Sequence, residues 1–416
     1  MADSICCRGG DISCRYDKLT GLCFAEEALS LYYLTRKKDD TYLEALLRSL
    51  ERFDAYLWSH HDLNFNNCLE IFNESETEEG QGAGRYSPVQ AEHYGEIRDV
   101  SPFPVESADL MAFDVSLRRV IAQIYLLYGD REAVSAWLKK TNAVTVNLRS
   151  ILWSKEDGAC FDRDYRGTVM DALSINNLFM MYYGAFDRDM AKTFVEKHLW
   201  NAEGFATPFP LPTLALGDSR FVNDEGCNFN GQPRAMTYCR AISALEKYGY
   251  NSYLTSLGKT FLRAVGDGGF AEQFDPFTGK AGLLDGKEHT PAATAALALI
   301  CNFFGVRQHM GRLYWGALGH GDGYTSEYCF TWGGDTFRLL AERDTSSGFV
   351  GEEPLFTVTN GMRVITDLYG EVVCAVNITD QPLDGVLVCG GRTYSFSLPA
   401  DGVFDPRENR TTKVSL

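Results

Sequence analysis

The chain is short of positive charge: 39 lysines and arginines stand against 56 aspartates and glutamates, a formal net charge of −17 over 416 residues. Nucleic acid and anionic membrane surfaces would be repelled over a Debye length, so neither is an expected partner, and a neutral ligand suits this balance best. The same surplus of acid also serves solubility in ordinary enzymes. No apolar run approaches the roughly 18 residues that a membrane span requires, and the opening MADSICCRGGD has no hydrophobic signal region. The expectation is a soluble, cytoplasmic protein. Twelve cysteines are scattered through the sequence without a CxxC pair or histidines at metal-ligand spacing, so neither a metal site nor a cofactor is expected. So many thiols favour a reducing compartment. Exact repeats, low-complexity tracts and a flexible interdomain linker are also lacking.

What is present is a chain with 45% apolar and 23% charged residues, enough for one large or two ordinary hydrophobic cores. From Phe24 to about Ala264, amphipathic segments of helical length alternate with loops rich in Gly, Asn, Asp and Pro. Glu106 to Tyr128 shows the period best, with Leu110, Phe113, Leu117, Val120, Ile121, Ile124 and Leu127 on one face. Further helices are expected at Ala25 to Arg36, Asp40 to Ser59, Glu132 to Ser150, Ala172 to Tyr183, Met190 to His198, Arg234 to Lys247, Ser252 to Val265 and Ala292 to Phe304. Very short turns, Tyr128 to Asp130 and Tyr248 to Asn251, make antiparallel hairpins of neighbouring helices. Long polar loops, Asn64 to Val105 and Trp200 to Gly231, are where chemistry is sought. After about Gly351 short alternating segments such as LFTVTN and EVVCAVNIT read as strands. The expected division is a helical domain over 1–345 and a small β-sandwich over 346–416.

Three polar regions carry candidate chemistry. In AEQFDPFTG, Ala271 to Gly279, aromatics bracket Glu272 ahead of a Pro/Gly turn, and partial desolvation would suit that carboxylate to proton transfer. Taken alone, a solvated turn glutamate is the simpler explanation of the same residues. The loop Glu70 to Pro88 gathers Glu74, Glu76, Glu78 and Glu79 before Arg85 and Tyr86. The segment Cys227 to Cys239 offers Asn228, Asn230, Gln232 and Arg234 at a helix start, planar groups of the kind that bind sugar hydroxyls.

The order of these segments resembles the glycoside hydrolase clan of trehalases, processing α-glucosidases and mannosylglycerate hydrolases. The likeness runs from Phe24 to Phe304 through the Glu74 to Tyr86 loop, ESADLMAF, LWSKEDGACFDRD, PFPLPTLALGDSRF, NGQPRAMTYCRAISALEKYGY, AEQFDPFTG and TPAATAALALI. It implies a mainly α fold, an (α/α)6-type toroid followed by the β-sandwich. It also implies an inverting hydrolase in which Glu272 is the general base and a residue of the acidic loop the general acid. The family's aspartate, four residues before the arginine, is Gln81 here, so the acid shifts to Glu79 ahead of Glu78, or is lost. A tryptophan that the family carries near Arg234 and Met236 is absent. Arg85, Asn230, Gln232, Arg234 and Phe274 would hold the sugar, while Asp109 either joins them or belongs to its helix's first turn with Ser107.

The implied substrate is an α-linked glucoside or mannoside. The alternatives are a carbohydrate-binding or scaffold protein on a catalytically decayed toroid, and a phosphorylase with a basic phosphate pocket, for which Arg234 stands alone. Nine candidate helices against the family's twelve leave three explanations. The chain is shortened, a partner chain or second copy completes the ring, or helices are concealed in Met1 to Cys23 and Arg307 to Leu340. Trp315, Trp332 and the glycine-rich stretch Gly316 to Tyr328 would line a sugar site or pack the sandwich.

Overall fold

The computed structural model describes residues 3–8, 11–19, 24–35, 39–73, 76–77, 83–86, 102–224, 230–282, 288–321 and 323–412. All nine expected helices form, within a few residues of their anticipated ends. The chain divides into two compact units. One comprises Met1–Ala28, Asp40–Thr237 and Ala271–Lys287, the other Leu29–Asp39, Tyr238–Phe270 and Glu288–Leu416.

In the first unit the helices Ala108–Tyr128 and Arg131–Ile151 form the hairpin that the Tyr-Gly-Asp turn foretells. Ser107, in extended backbone, caps the first through its hydroxyl, which accepts from the Leu110 amide at 3.4 Å. Gly129 ends it at φ 79°, a left-handed conformation that glycine adopts without steric cost, and its amide returns to the Leu126 carbonyl. Asp130 then caps the second helix by accepting from Ala133 at 3.0 Å. The Ala108–Tyr128 helix is buried nearly all round its first four turns; Phe113 meets Phe24, Phe53 and Tyr183 there. Helix Asp40–His60 packs on it through a polar contact inside the core. The Arg118 guanidinium lies between Asp54 and Asp114, and the Trp58 indole donates to Asp114. A small antiparallel sheet, in the order Glu70–Ile71, Val105–Glu106, Asp162–Asp164, Val169–Met170, ties the long loops to the start of the Ala108–Tyr128 helix.

The second unit holds helices Asn251–Gly268 and Thr290–Phe304 and a β-sandwich of two six-stranded antiparallel sheets. One sheet runs Val306–His309, Arg312–Ala317, Met362–Asp367, Val372–Asn377, Val403–Asp405, Arg410–Thr412. The other runs Ser326–Trp332, Asp335–Ala341, Thr345–Val350, Glu353–Thr359, Leu383–Cys389, Arg392–Leu398. Alternate residues point inward: Leu313, Trp315 and Ala317 from one sheet meet Phe337, Leu339, Phe356, Val358 and Leu387 from the other. Trp315 touches Phe337 and Phe356, so Trp315 and Trp332 pack the sandwich.

Strands therefore begin at Val306, well before Gly351. The stretch Arg307 to Leu340 conceals strands, not helices, and Asp3–Arg8 with Asp11–Leu19 form a β-hairpin where Met1 to Cys23 had been a place for missing helices. Between Val306 and Ala341 the outward positions hold Arg, Gln, His and Glu, and glycine turns break the pattern into short pieces. Period-two alternation is weak over such lengths.

Candidate active site

The Glu272 segment is built by backbone pairing. The Ala235 amide donates to the Glu272 carbonyl at 3.0 Å, and the Phe274 amide donates to the Pro233 carbonyl at 3.0 Å. On its far side Gln273–Phe274 pairs with Ala281–Gly282. Asp-Pro-Phe-Thr-Gly is the turn between those strands. The Asp275 carboxylate accepts from the Phe277 and Thr278 amides and the Thr278 hydroxyl, and Gly279 closes it at φ 70° against the Phe209 ring. Burial pushes the Asp275 carboxyl up, but the Asn223 and Thr278 hydrogen bonds outweigh it and hold the group below its ordinary range.

This frame buries Ala271, Gln273 and Phe274 and leaves the Glu272 side chain 23% exposed. Arg234 meets it: Nη2 donates to Glu272 Oε1 at 2.8 Å. Gln232 is buried beside them and donates to Asn223 at 2.9 Å, which in turn donates to Asp275 at 2.7 Å. Gln232 Oε1 stays buried without a hydrogen bond. Asn230 joins the same loop through its carbonyl, which accepts from the Val222 amide at 2.8 Å. Phe274 is fully buried and stacked on Phe209, with ring centroids 4.9 Å apart. It braces the loop and shows no ring face to solvent.

A second polar group forms at the start of the Ala108–Tyr128 helix. Arg85, on the short helix Ala83–Tyr86, is buried between Asp109 and Asp162; its Nη1 donates to Asp109, and its Nη2 lies 2.7 Å from Asp162 Oδ2. Asp162 Oδ1 accepts from the Ala108 amide at 2.9 Å, so a distant carboxylate satisfies a free helix N-terminal donor. Asn176 donates to Asp109 at 2.7 Å. Burial works against the Arg85 charge, yet Asp109 and Asp162 keep the guanidinium firmly protonated. Burial pushes the Asp109 carboxyl up, with Arg85 pulling it down. A cavity of about 10 Å³, large enough for one water, is lined by Arg85, Asp162, Ser174 and Asn176, among others. Asp109 Oδ1 and Asn176 Oδ1 are buried without a hydrogen bond.

The candidates thus fall into two groups: Glu272, Arg234, Gln232 and Asn230 on one pair of loops, and Arg85 with Asp109 around the second polar site. Glu74, Glu78, Glu79, Gln81 and Asn228 lie outside the described residues. Glu76 is buried and accepts from the Phe72 amide at 2.7 Å. Sequence reasoning passed over Asp162, Asn176 and Asn223. Asn176 and Asn177 follow Ile175 and precede Leu178 in an otherwise apolar run, and a polar pair at core positions is the signal that would have found them.

Residues 23–291, which include both groups, match the mannosylglycerate hydrolase MGH1-like glycoside hydrolase domain. The chain belongs to that glycoside hydrolase family. Among solved structures, this family member is similar to a GH63 mannosylglycerate hydrolase from Thermus thermophilus in complex with glucose. That likeness has a TM-score of 0.55 at 18% identity and covers 70% of this chain and 77% of that one. A sialidase structure aligns with TM-score 0.64 at 12% identity, over 83% of this chain and 32% of that one. At such identities the likeness is one of fold. An uncharacterized protein of Borreliella burgdorferi is 23% identical over 141 residues, 34% of this chain, and the match spans 29% of that relative's length. The family match covers the helical region and ends before the β-sandwich that begins at Val306, and no helix among the described residues is long and apolar enough to cross a membrane.

Proposed function

We propose that the chain is an inverting glycoside hydrolase on an (α/α)6-type helical toroid, cleaving an α-linked glucoside or mannoside in a small oligosaccharide or glycoside. Glu272 removes a proton from a water that attacks the anomeric carbon, while Glu79 protonates the departing glycosidic oxygen on the opposite face. Inversion requires the two carboxyls to stand roughly 6.5–9.5 Å apart, leaving room for the water.

The observation that carries this reading is Glu272 itself. Within the family-matched region it is a partly exposed carboxylate on a segment paired on both edges, aimed by Arg234 at 2.8 Å and braced underneath by Phe274. A base held this firmly needs little reorganisation when the water is activated. In this reading Arg234 beside Glu272 and the neighbouring Asn230 and Gln232 contact the sugar, with Arg85 and Asp109 completing the polar lining. The helical hairpins support a toroid, and mannosylglycerate hydrolases supply the substrate class by analogy. Seven free cysteines among the described residues suit a reducing cytoplasm.

The test is hydrolysis of 4-nitrophenyl α-glucoside and α-mannoside followed by proton NMR. The β anomer should appear first, and Glu272→Gln should lower kcat by roughly 10²–10⁴-fold with little change in melting temperature. Early release of the α anomer would exclude inversion. Near wild-type turnover in Glu272→Gln would remove Glu272 from the role of base.

A further inference from the structure

The β-sandwich carries an open groove of about 570 Å³, lined by Tyr369, Glu371, Arg392, Tyr394 and Arg407 over a floor that includes Leu355. That volume lies within the roughly 300–1,000 Å³ of small-ligand sites. The groove belongs to the second compact unit, whereas Glu272 belongs to the first.

Its walls are turns fixed by local hydrogen bonds. The Asp367 carboxylate accepts from the Tyr369 amide at 2.8 Å and the Glu371 amide at 2.9 Å. Gly370 completes that turn at φ 93°, where a Cβ would meet Leu355 at 2.7 Å, so no side chain fits between the turn and the floor. The result is that Tyr369, 87% exposed, projects from a constrained backbone. Arg392 follows the Gly390-Gly391 hairpin turn and has no side-chain partner among the described residues. Arg407 is held by Asp405, with Nη2 at 3.2 Å from Oδ2 and the amide at 2.8 Å from Oδ1. The Tyr394 ring leans on Phe404 at 5.5 Å.

The chemistry of the lining selects an occupant. Arg407 is committed to Asp405 and the lining also carries Glu371, so Arg392 alone would face a phosphate or sulfate beside a carboxylate, a poor setting for an anion. Polar groups interrupt the apolar floor, which disfavours a hydrophobic peptide. An exposed aromatic beside planar donors and a carboxylate fits a sugar, whose C–H face stacks while its hydroxyls pair with guanidinium and carboxylate. We propose that this groove is a second carbohydrate site, binding a neutral oligosaccharide apart from Glu272, with Tyr369 stacked on one ring and Arg392 and Glu371 bonded to hydroxyls. The ligand class rests on the reading of the chain as carbohydrate-active; the groove's form does not.

Native electrophoresis of the full chain through gels containing soluble α-glucan or α-mannan tests the assignment. One of the polysaccharides should retard the protein, and Glu272→Gln should be retarded equally. Tyr369→Ala and Arg392→Ala should each weaken retention roughly tenfold, with melting temperatures unchanged, and Tyr369→Phe should keep it. Free migration of the wild type in both gels overturns the proposal. So does full retention of Tyr369→Ala, which would locate the binding elsewhere. Retention in the absence of any hydrolysis would count against the proposed reaction while supporting the groove.

Discussion

Arg85 faces two buried carboxylates, one more than its charge needs. Asp109 is only 1% exposed and Asp162 2%, and the two are compensated by one guanidinium together with local hydrogen bonds. Asp162 bears more of the structure, because it also satisfies the Ala108 amide. Asp162→Ala leaves the Arg85–Asp109 pair in balance but orphans the buried Ala108 amide, so it should lower unfolding free energy by about 1–3 kcal/mol, and Asp162→Asn should lose less, since its amide oxygen still accepts from Ala108. Urea denaturation measures this, and a loss below about 1 kcal/mol for the alanine variant would contradict the assignment. At this scale the sequence pointed to Arg85 and Asp109 separately but not to their pairing, and it missed Asp162. Aspartate at position 162 reads as a turn residue in LWSKEDGACFDRD; only the antiparallel pairing of Val105–Glu106 with Asp162–Asp164 brings it to the helix start. Phe274 was legible as part of a motif, but its burial against Phe209 depends on a residue 65 positions earlier in the chain.

At the scale of elements, the contact between helices Asp40–His60 and Ala108–Tyr128 contains a titratable group with no part in the proposed chemistry. Burial pushes the Asp114 carboxyl up to about 8, with Arg118 opposing and Asp54 adding to the rise. A carboxyl whose folded value lies above its unfolded one favours the folded state while protonated. Its contribution is fully present below the ordinary value of 3.8 and is lost as pH climbs through about 8. Asp114→Asn mimics the protonated form. Its stability relative to wild type should improve steadily between about pH 4 and pH 8, as read by urea midpoints at several pH values. A difference independent of pH would show that Asp114 is ionised throughout. The helices themselves were legible because amphipathic periods over long segments leave little choice of conformation. The strands from Val306 to Ala341 were not, since each is short and draws its stability from partners as distant as Met362–Asp367.

For the whole molecule, the charge of −17 makes the salt dependence of substrate capture a test of the substrate's own charge. If that substrate is neutral, diffusion to the site gains nothing from the protein's field, and kcat/KM should change by less than about twofold between low salt and roughly 0.5 M sodium chloride. An anionic substrate would be repelled at low salt, and its kcat/KM would rise as the field is screened. Steady-state assays across that salt range separate the two, and a steep rise would refute a neutral substrate.

The sequence by itself determined the helices, their short hairpin turns, the Asp-Pro-Phe-Thr-Gly turn after Glu272 and, through the order of its motifs, the glycoside hydrolase family. These are local or ordered properties, set by capping, periodicity and turn chemistry within a few residues. Tertiary structure alone decided that Arg234 meets Glu272, that Arg85 is shared by Asp109 and Asp162, that Phe274 lies buried, and that Tyr369 stands over a groove. Each depends on residues distant in sequence, and burial and charge pairing arise only once the chain has closed those distances.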